Sequence, residues 1–120
     1  MTVSGPGFVS LQVRDLERSA AFYERHLGFV RQAGPPHAVV FGTAPAAFAV
    51  RSAAPGVDLD AAPLGRGIGL WLHASEAESV HAALVAAGVP IAVDPVLGPF
   101  GFTFTFEDPD GYLITLHDRA

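Results

Sequence analysis

An internal repeat constrains the fold of this chain more than any other feature of its sequence. The first half begins with FVSLQVR at 8–14, where apolar and polar side chains alternate as in a strand with one face on a core. The helical segment LERSAAFYERHL follows, with Asp15 placed to cap its first turn and Gly28 placed to end it. The start of the chain is therefore predicted to be a strand followed directly by a helix.

The second half of the chain follows the same order. GIGLWLH at 67–73 alternates like the first strand, and Leu70 stands where Leu11 stands in the first half. Ser75 and Glu78 have the spacing of a capping box, and a helical pattern comes directly after them. Two halves of similar structure are predicted.

Each half continues with three extended segments, which makes the repeated unit β-α-β-β-β. These segments are FVRQ, AVVFGT and AAFAVRS in the first half, and IAVDPV, GFTFTFE and YLITLHD in the second. The sequence predicts an α+β fold of two βαβββ modules, at about 7–53 and 66–119, within a single domain at 1–120. The segment between the modules, 54–65, is rich in Pro, Gly and Asp and is predicted to be a linker.

The composition narrows the range of partners. A net charge of −5 and a pI of about 5.3 argue against nucleic acid and against an anionic membrane surface. The absence of cysteine removes disulfides and thiol nucleophiles from consideration. The first residues lack the pattern of a signal peptide, and no apolar run is long enough to span a membrane, so a cytoplasmic location is predicted.

Two segments carry a resemblance to a known family. LQVRDLERSAAFYERHLGF at 11–29 and FEDPDGYLITL at 106–116 resemble, in this order and spacing, the vicinal oxygen chelate superfamily of glyoxalase I, extradiol dioxygenases and the fosfomycin and bleomycin resistance proteins. The resemblance implies two cupped mixed sheets with the helices on their outer faces. It does not imply one activity, because this fold carries many.

The resemblance also implies four metal-ligand positions, which His, Glu or Gln fill in the enzymes of this superfamily. In this sequence the four positions fall on Phe8, Ala49 or a neighbour of it, Gly67 and Thr115. Zinc or iron needs several imidazole or carboxylate donors, and these residues offer one hydroxyl. We therefore predict no metal, no other cofactor and no catalytic residue. A displaced site that uses His73 and His117 is the alternative.

The face that would hold the metal is predicted to bind an organic ligand instead. If Glu107 pairs with Tyr112 across the turn at 108–111, the phenylalanines of GFTFTFE share a face with Thr115. Trp71 is the only tryptophan, and it alternates out of phase with the aliphatic residues beside it. The predicted ligand-binding residues are Phe8, Ser10, Gln12, Arg51, Trp71, Phe102, Phe104, Thr115 and His117.

Three hypotheses of function follow from these residues. The first is a metal-free binding protein similar to the bleomycin resistance proteins, which sequesters a small, antibiotic-like aromatic or cationic compound. The second is a glyoxalase-like lyase or isomerase with a displaced metal site, and the third is a structural or regulatory module without a small ligand. A homodimer is predicted in addition, because open sheet edges need covering and two-fold partners usually cover them in this superfamily.

Overall fold

The protein forms two compact units, Met1–Ala61 and Ala62–Ala120, in a computed structural model that describes residues 2–119. Each unit contains one four-stranded mixed sheet and one helix, in the order β-α-β-β-β. The predicted α+β fold with two repeated modules is confirmed.

The first unit has the strand order β1-β4-β3-β2, in which β1 and β4 run parallel. Its helix packs on β3 and β4, where Tyr23 stacks among the rings of Phe29, Phe41 and Phe48. The elements are β1 (Phe8–Val13), α1 (Leu16–Leu27), β2 (Arg31–Gln32), β3 (Ala38–Phe41) and β4 (Ala47–Ser52).

The second unit repeats this arrangement with the order β5-β8-β7-β6, in which β5 and β8 run parallel. Its helix packs on β7. The elements are β5 (Leu70–His73), α2 (Ala77–Ala86), β6 (Ile91–Gly98), β7 (Gly101–Glu107) and β8 (Leu113–His117). Strand β5 is shorter than the predicted 67–73, because the chain first turns at Gly67, whose φ is +83°. The turn is closed by a hydrogen bond from the Ile68 amide to the Gly65 carbonyl.

The observed ends of α1 agree with the prediction from the sequence, but the observed start of α2 does not. The Asp15 carboxylate accepts a hydrogen bond from the Arg18 amide, and Gly28 ends α1 with a φ of 71°. Helix α2 begins with Glu76 at its N-cap, and the Glu76 side chain makes no capping hydrogen bond. The predicted capping box is therefore wrong, because Ser75 lies one residue before the N-cap position.

The pairing of β7 with β8 differs by one residue from the predicted register. Glu107 lies opposite Leu113, not Tyr112, and Thr105 lies opposite Thr115. The cause is the turn: the Asp108 amide donates to the Tyr112 carbonyl at 2.9 Å, which leaves a loop of three residues. The buried Asp108 carboxylate supports this loop by accepting from the amides of Asp110 and Tyr112. A shift of one residue reverses the face of every side chain on the strand.

Phe102 and Phe104 are consequently not on the face predicted for them. Both point toward α2, where the His81 ring lies 6.0 Å from the Phe102 ring and 4.9 Å from the Phe104 ring, measured between centroids. Phe104 and Phe106 are fully buried. These phenylalanines form the core beneath α2 and do not belong to the predicted ligand-binding face.

Neither helix of residues 2–119 has the length and apolar character needed to cross a membrane.

Candidate ligand-binding site

The open face of the second sheet, defined here as the face away from α2, carries the candidate site. Trp71, Thr115, Thr105 and Val93 lie side by side on it, one from each of the four strands. The next row, two residues further along β8, consists of His73, His117, Thr103 and Val96. The open face thus combines aromatic, hydroxyl and imidazole groups.

Three rings of this face form an aromatic cluster: Trp71, Phe100 and His117. The Trp71 centroid lies 5.5 Å from that of Phe100 and 5.9 Å from that of His117, and Phe100 lies 6.0 Å from His117. Trp71 remains 49% exposed and Phe100 48% exposed, so about half of each residue is accessible. Such a wall suits a planar or cationic ligand.

Phe100 belongs to the cluster although the sequence did not indicate it. It lies in the two-residue turn between β6 and β7, where Gly98 pairs with Gly101. Its carbonyl accepts from the Arg119 amide at 3.0 Å, which fastens the turn to the segment after β8. The available signal was a large aromatic residue in a short turn next to glycine, where Gly, Pro, Asn, Asp and Ser are the usual residues.

Trp71 is positioned by the glycine that precedes β5. A Cβ atom built on Gly69 would lie 3.3 Å from the Trp71 Nε1 atom, closer than ordinary van der Waals contact. Any side chain at position 69 would therefore crowd the indole in its present orientation.

The hydroxyl groups of Thr105 and Thr115 form a pair beside Trp71. Their oxygen atoms are 2.7 Å apart, so one hydroxyl donates to the other. This contact uses one of the two hydroxyl hydrogens, and the other hydrogen can be donated elsewhere. Thr105 and Thr115 thus place two hydroxyl groups at the centre of the open face.

The predicted site residues of the first unit lie on the open face of its own sheet, the face away from α1. Phe8 and Ser10 alternate with the core residues of β1, and Gln12 pairs across from Arg51 of β4. The Gln12 amide oxygen accepts from the Ala54 amide at 2.8 Å, and Arg51 Nε donates to the Ser52 carbonyl at 3.0 Å. Gln12 therefore holds the segment that follows β4.

The four positions that the family uses for metal ligands carry no suitable donors. Phe8 begins β1, Ala49 is buried in β4, Gly67 lies in the turn before β5, and Thr115 hydrogen-bonds to Thr105. Within residues 2–119, no group of three His, Cys, Asp or Glu side chains is placed to hold a metal ion. The donor set does not fit a divalent transition metal.

We expect the purified protein to carry no stoichiometric zinc, iron, nickel or manganese. The reason is that the family's ligand positions offer only the Thr115 hydroxyl as a donor. Elemental analysis by plasma mass spectrometry measures this directly. About one metal ion per chain, retained after dialysis against a chelator, contradicts the expectation.

Comparisons with known proteins agree with this architecture. The antibiotic-binding protein TnmS3 from Streptomyces sp. CB03234 superposes with a TM-score of 0.77 at 26% identity, covering 100% of this chain and 99% of its own. UcmS2 gives 0.76 at 26% identity, covering 98% and 99%. A glyoxalase-related enzyme from Fulvimarina pelagi gives 0.77 at 21% identity, covering 98% and 89%, a likeness that extends to the fold alone.

A search of curated proteins finds no significant match. The family model for the Glyoxalase/Bleomycin resistance protein/Dioxygenase superfamily matches residues 5–116, which is nearly the whole chain. The chain belongs to the Glyoxalase/Bleomycin resistance protein/Dioxygenase superfamily.

Proposed function

We propose that this protein is a metal-free cytoplasmic binding protein that sequesters a small, planar, antibiotic-like molecule. The observation that carries the proposal is the half-exposed Trp71 on the open face, with Phe100 and His117 in ring contact beside it. Small-molecule sites are lined mainly by apolar and aromatic side chains, with a few polar groups among them.

Similarity to an antibiotic-binding protein supports the class of ligand. TnmS3 shares 26% of its residues with this chain over almost the full length of both. The residues at the four metal-ligand positions offer only one donor atom, the Thr115 hydroxyl oxygen. This supports ligand binding without metal chemistry. On both grounds, sequestration is a better proposal than catalysis.

The proposed contacts in the second unit are Trp71, Phe100, Thr115 and His117. Phe102 and Phe104 are no longer proposed as ligand contacts, because their side chains point toward α2. Phe100 takes their place in the proposed set. For the open face of the first unit, the predicted ligand contacts stay Phe8, Ser10, Gln12 and Arg51.

Tryptophan fluorescence tests the proposal directly, because Trp71 is the only tryptophan in the chain. Titration with a panel of planar antibiotics, cationic and neutral, should quench Trp71 emission saturably for at least one compound. Free N-acetyltryptophanamide, titrated in parallel, corrects for absorption by the compound. A bound compound should also raise the melting temperature, by mass action. If no compound changes either signal beyond the control, the proposal fails.

We further propose a homodimer. Each sheet has two edge strands, and edge strand β6 exposes Val93, Val96 and Leu97. Exposed apolar edge strands tend to pair or to be covered. Light scattering should give about 25 kDa, twice the 12.5 kDa of one chain. A mass of 12.5 kDa at micromolar concentration contradicts the dimer.

A further inference from the structure

We propose that the site selects planar ligands that carry a phenolic hydroxyl, and that His117 Nε2 is the acceptor that recognises it. The inference rests on the proposed function and adds the polar chemistry of the ligand. It makes His117 a specificity-determining residue, whereas Trp71 provides affinity for any flat ring.

The hydrogen bond on the other side of the His117 ring fixes which nitrogen carries the proton. His117 Nδ1 lies 2.9 Å from the carbonyl oxygen of Arg119. A carbonyl oxygen only accepts hydrogen bonds, so Nδ1 must donate. The neutral imidazole then has its lone pair on Nε2, which is left as an acceptor.

The segment that carries the Arg119 carbonyl is held at two points. The Arg119 amide donates to the Phe100 carbonyl at 3.0 Å, and the Asp118 carboxylate accepts from the Phe102 amide at 2.9 Å. Two hydrogen bonds therefore hold the segment after β8, one to the turn between β6 and β7 and one to the start of β7. The tautomer of His117 is set by the backbone and not by a mobile side chain.

His117 Nε2 has no hydrogen-bond partner among residues 2–119. Its ring is in contact with the rings of Trp71 and Phe100, so a planar molecule stacked on Trp71 would cover His117 as well. A ligand with an O–H donor at this edge satisfies Nε2, whereas one without it removes water from Nε2 and leaves it unpaired. That loss is the physical basis of the selectivity.

A matched pair of probes tests the inference: 2-naphthol, and 2-methoxynaphthalene as its methyl ether. Both offer the same flat ring, but only 2-naphthol can donate a hydrogen bond. Fluorescence titration of Trp71 should give about three- to tenfold tighter binding for 2-naphthol, the expected value of one neutral hydrogen bond.

Two variants separate His117 from its neighbours. His117→Phe keeps a ring but removes the acceptor, so it should bind the two probes equally. Circular dichroism and the melting temperature show whether the fold persists in this variant. The control is His73→Phe, which changes the other histidine of the same row, 5.7 Å away between ring centroids, and should keep the preference.

The outcomes distinguish the two proposals. Equal affinity of the wild-type protein for both probes, with Trp71 quenched, overturns the role of His117 and leaves the binding function standing. If neither probe binds at about 1 mM, this inference fails, and the titration with the antibiotic panel decides the binding function separately. A nitrogen NMR spectrum of the imidazole rings gives a readout independent of ligand. A proton on Nε2 of neutral His117 overturns the inference, and a proton on Nδ1 supports it.

Discussion

Replacing Trp71 with alanine is expected to weaken binding of an identified ligand by about 2 kcal/mol or more, roughly thirtyfold, as truncation of an interface hot spot does. The same change should lower the melting temperature by only a few degrees. The reason for both results is that Trp71 lies on the open face, is 49% exposed, and contacts Phe100 and His117 rather than the core under α2.

Calorimetry is the appropriate measurement, because the variant lacks the only tryptophan. Trp71→Phe is the matched variant: it keeps a smaller aromatic wall and should lose less affinity than the alanine variant. Unchanged affinity in Trp71→Ala contradicts the placement of the ligand on this wall. A loss of stability of about 3–5 kcal/mol instead assigns Trp71 to the core.

Phe104→Ala is expected to have the opposite effect, with a loss of about 3–5 kcal/mol in the free energy of unfolding. Phe104 is 0% exposed, and its ring lies 4.9 Å from His81 and 6.2 Å from both Phe102 and Phe106. Truncation leaves a cavity between β7 and α2 that the neighbouring rings fill only in part. Urea denaturation followed by circular dichroism measures the loss.

Leu113→Ala is the control for Phe104→Ala. Leu113 lies on the neighbouring strand β8 and is 51% exposed on the open face, so its truncation should cost little. The pair also tests the register of β7 against β8. If Phe104→Ala costs less than about 1 kcal/mol, Phe104 does not occupy the core and the observed register is wrong.

The repeat and the helices were predictable because their signals are local. Alternation in β1, the Asp15 cap and the Gly28 terminus each depend on residues close in the chain. Helical spacing in α1 also places Ala20 and Tyr23 on one face, and both are buried.

The register of β7 against β8 was harder to predict. A loop that is longer or shorter by one residue changes every pair between the two strands. Asp-Pro-Asp-Gly suits a loop of four residues or a loop of three preceded by Asp108. The hydrogen bond from the Asp108 amide to the Tyr112 carbonyl selects the shorter loop. One wrong pair then placed every phenylalanine of β7 on the wrong face.

Two features of the candidate site depend on contacts between segments that are distant in the chain. They could not be predicted from the sequence for that reason. Phe100 reaches Trp71 across a sheet from a turn 29 positions later in the chain (100 − 71). Gln12 has the correct face for a ligand contact, but its amide oxygen bonds to the Ala54 amide. Hydrogen bonds between residues so far apart in the chain are determined by the tertiary structure.

Alternation along β8 lets the core and the candidate site vary independently. Ile114 and Leu116 are buried in the core, whereas Thr115 and His117, which alternate with them, face outward. A substitution at Thr115 or His117 alters what the surface recognises and leaves the packing beneath α2 untouched, so few such changes drop the protein below its stability threshold. Recognition can therefore change one open-face residue at a time, while the buried residues between them keep the fold.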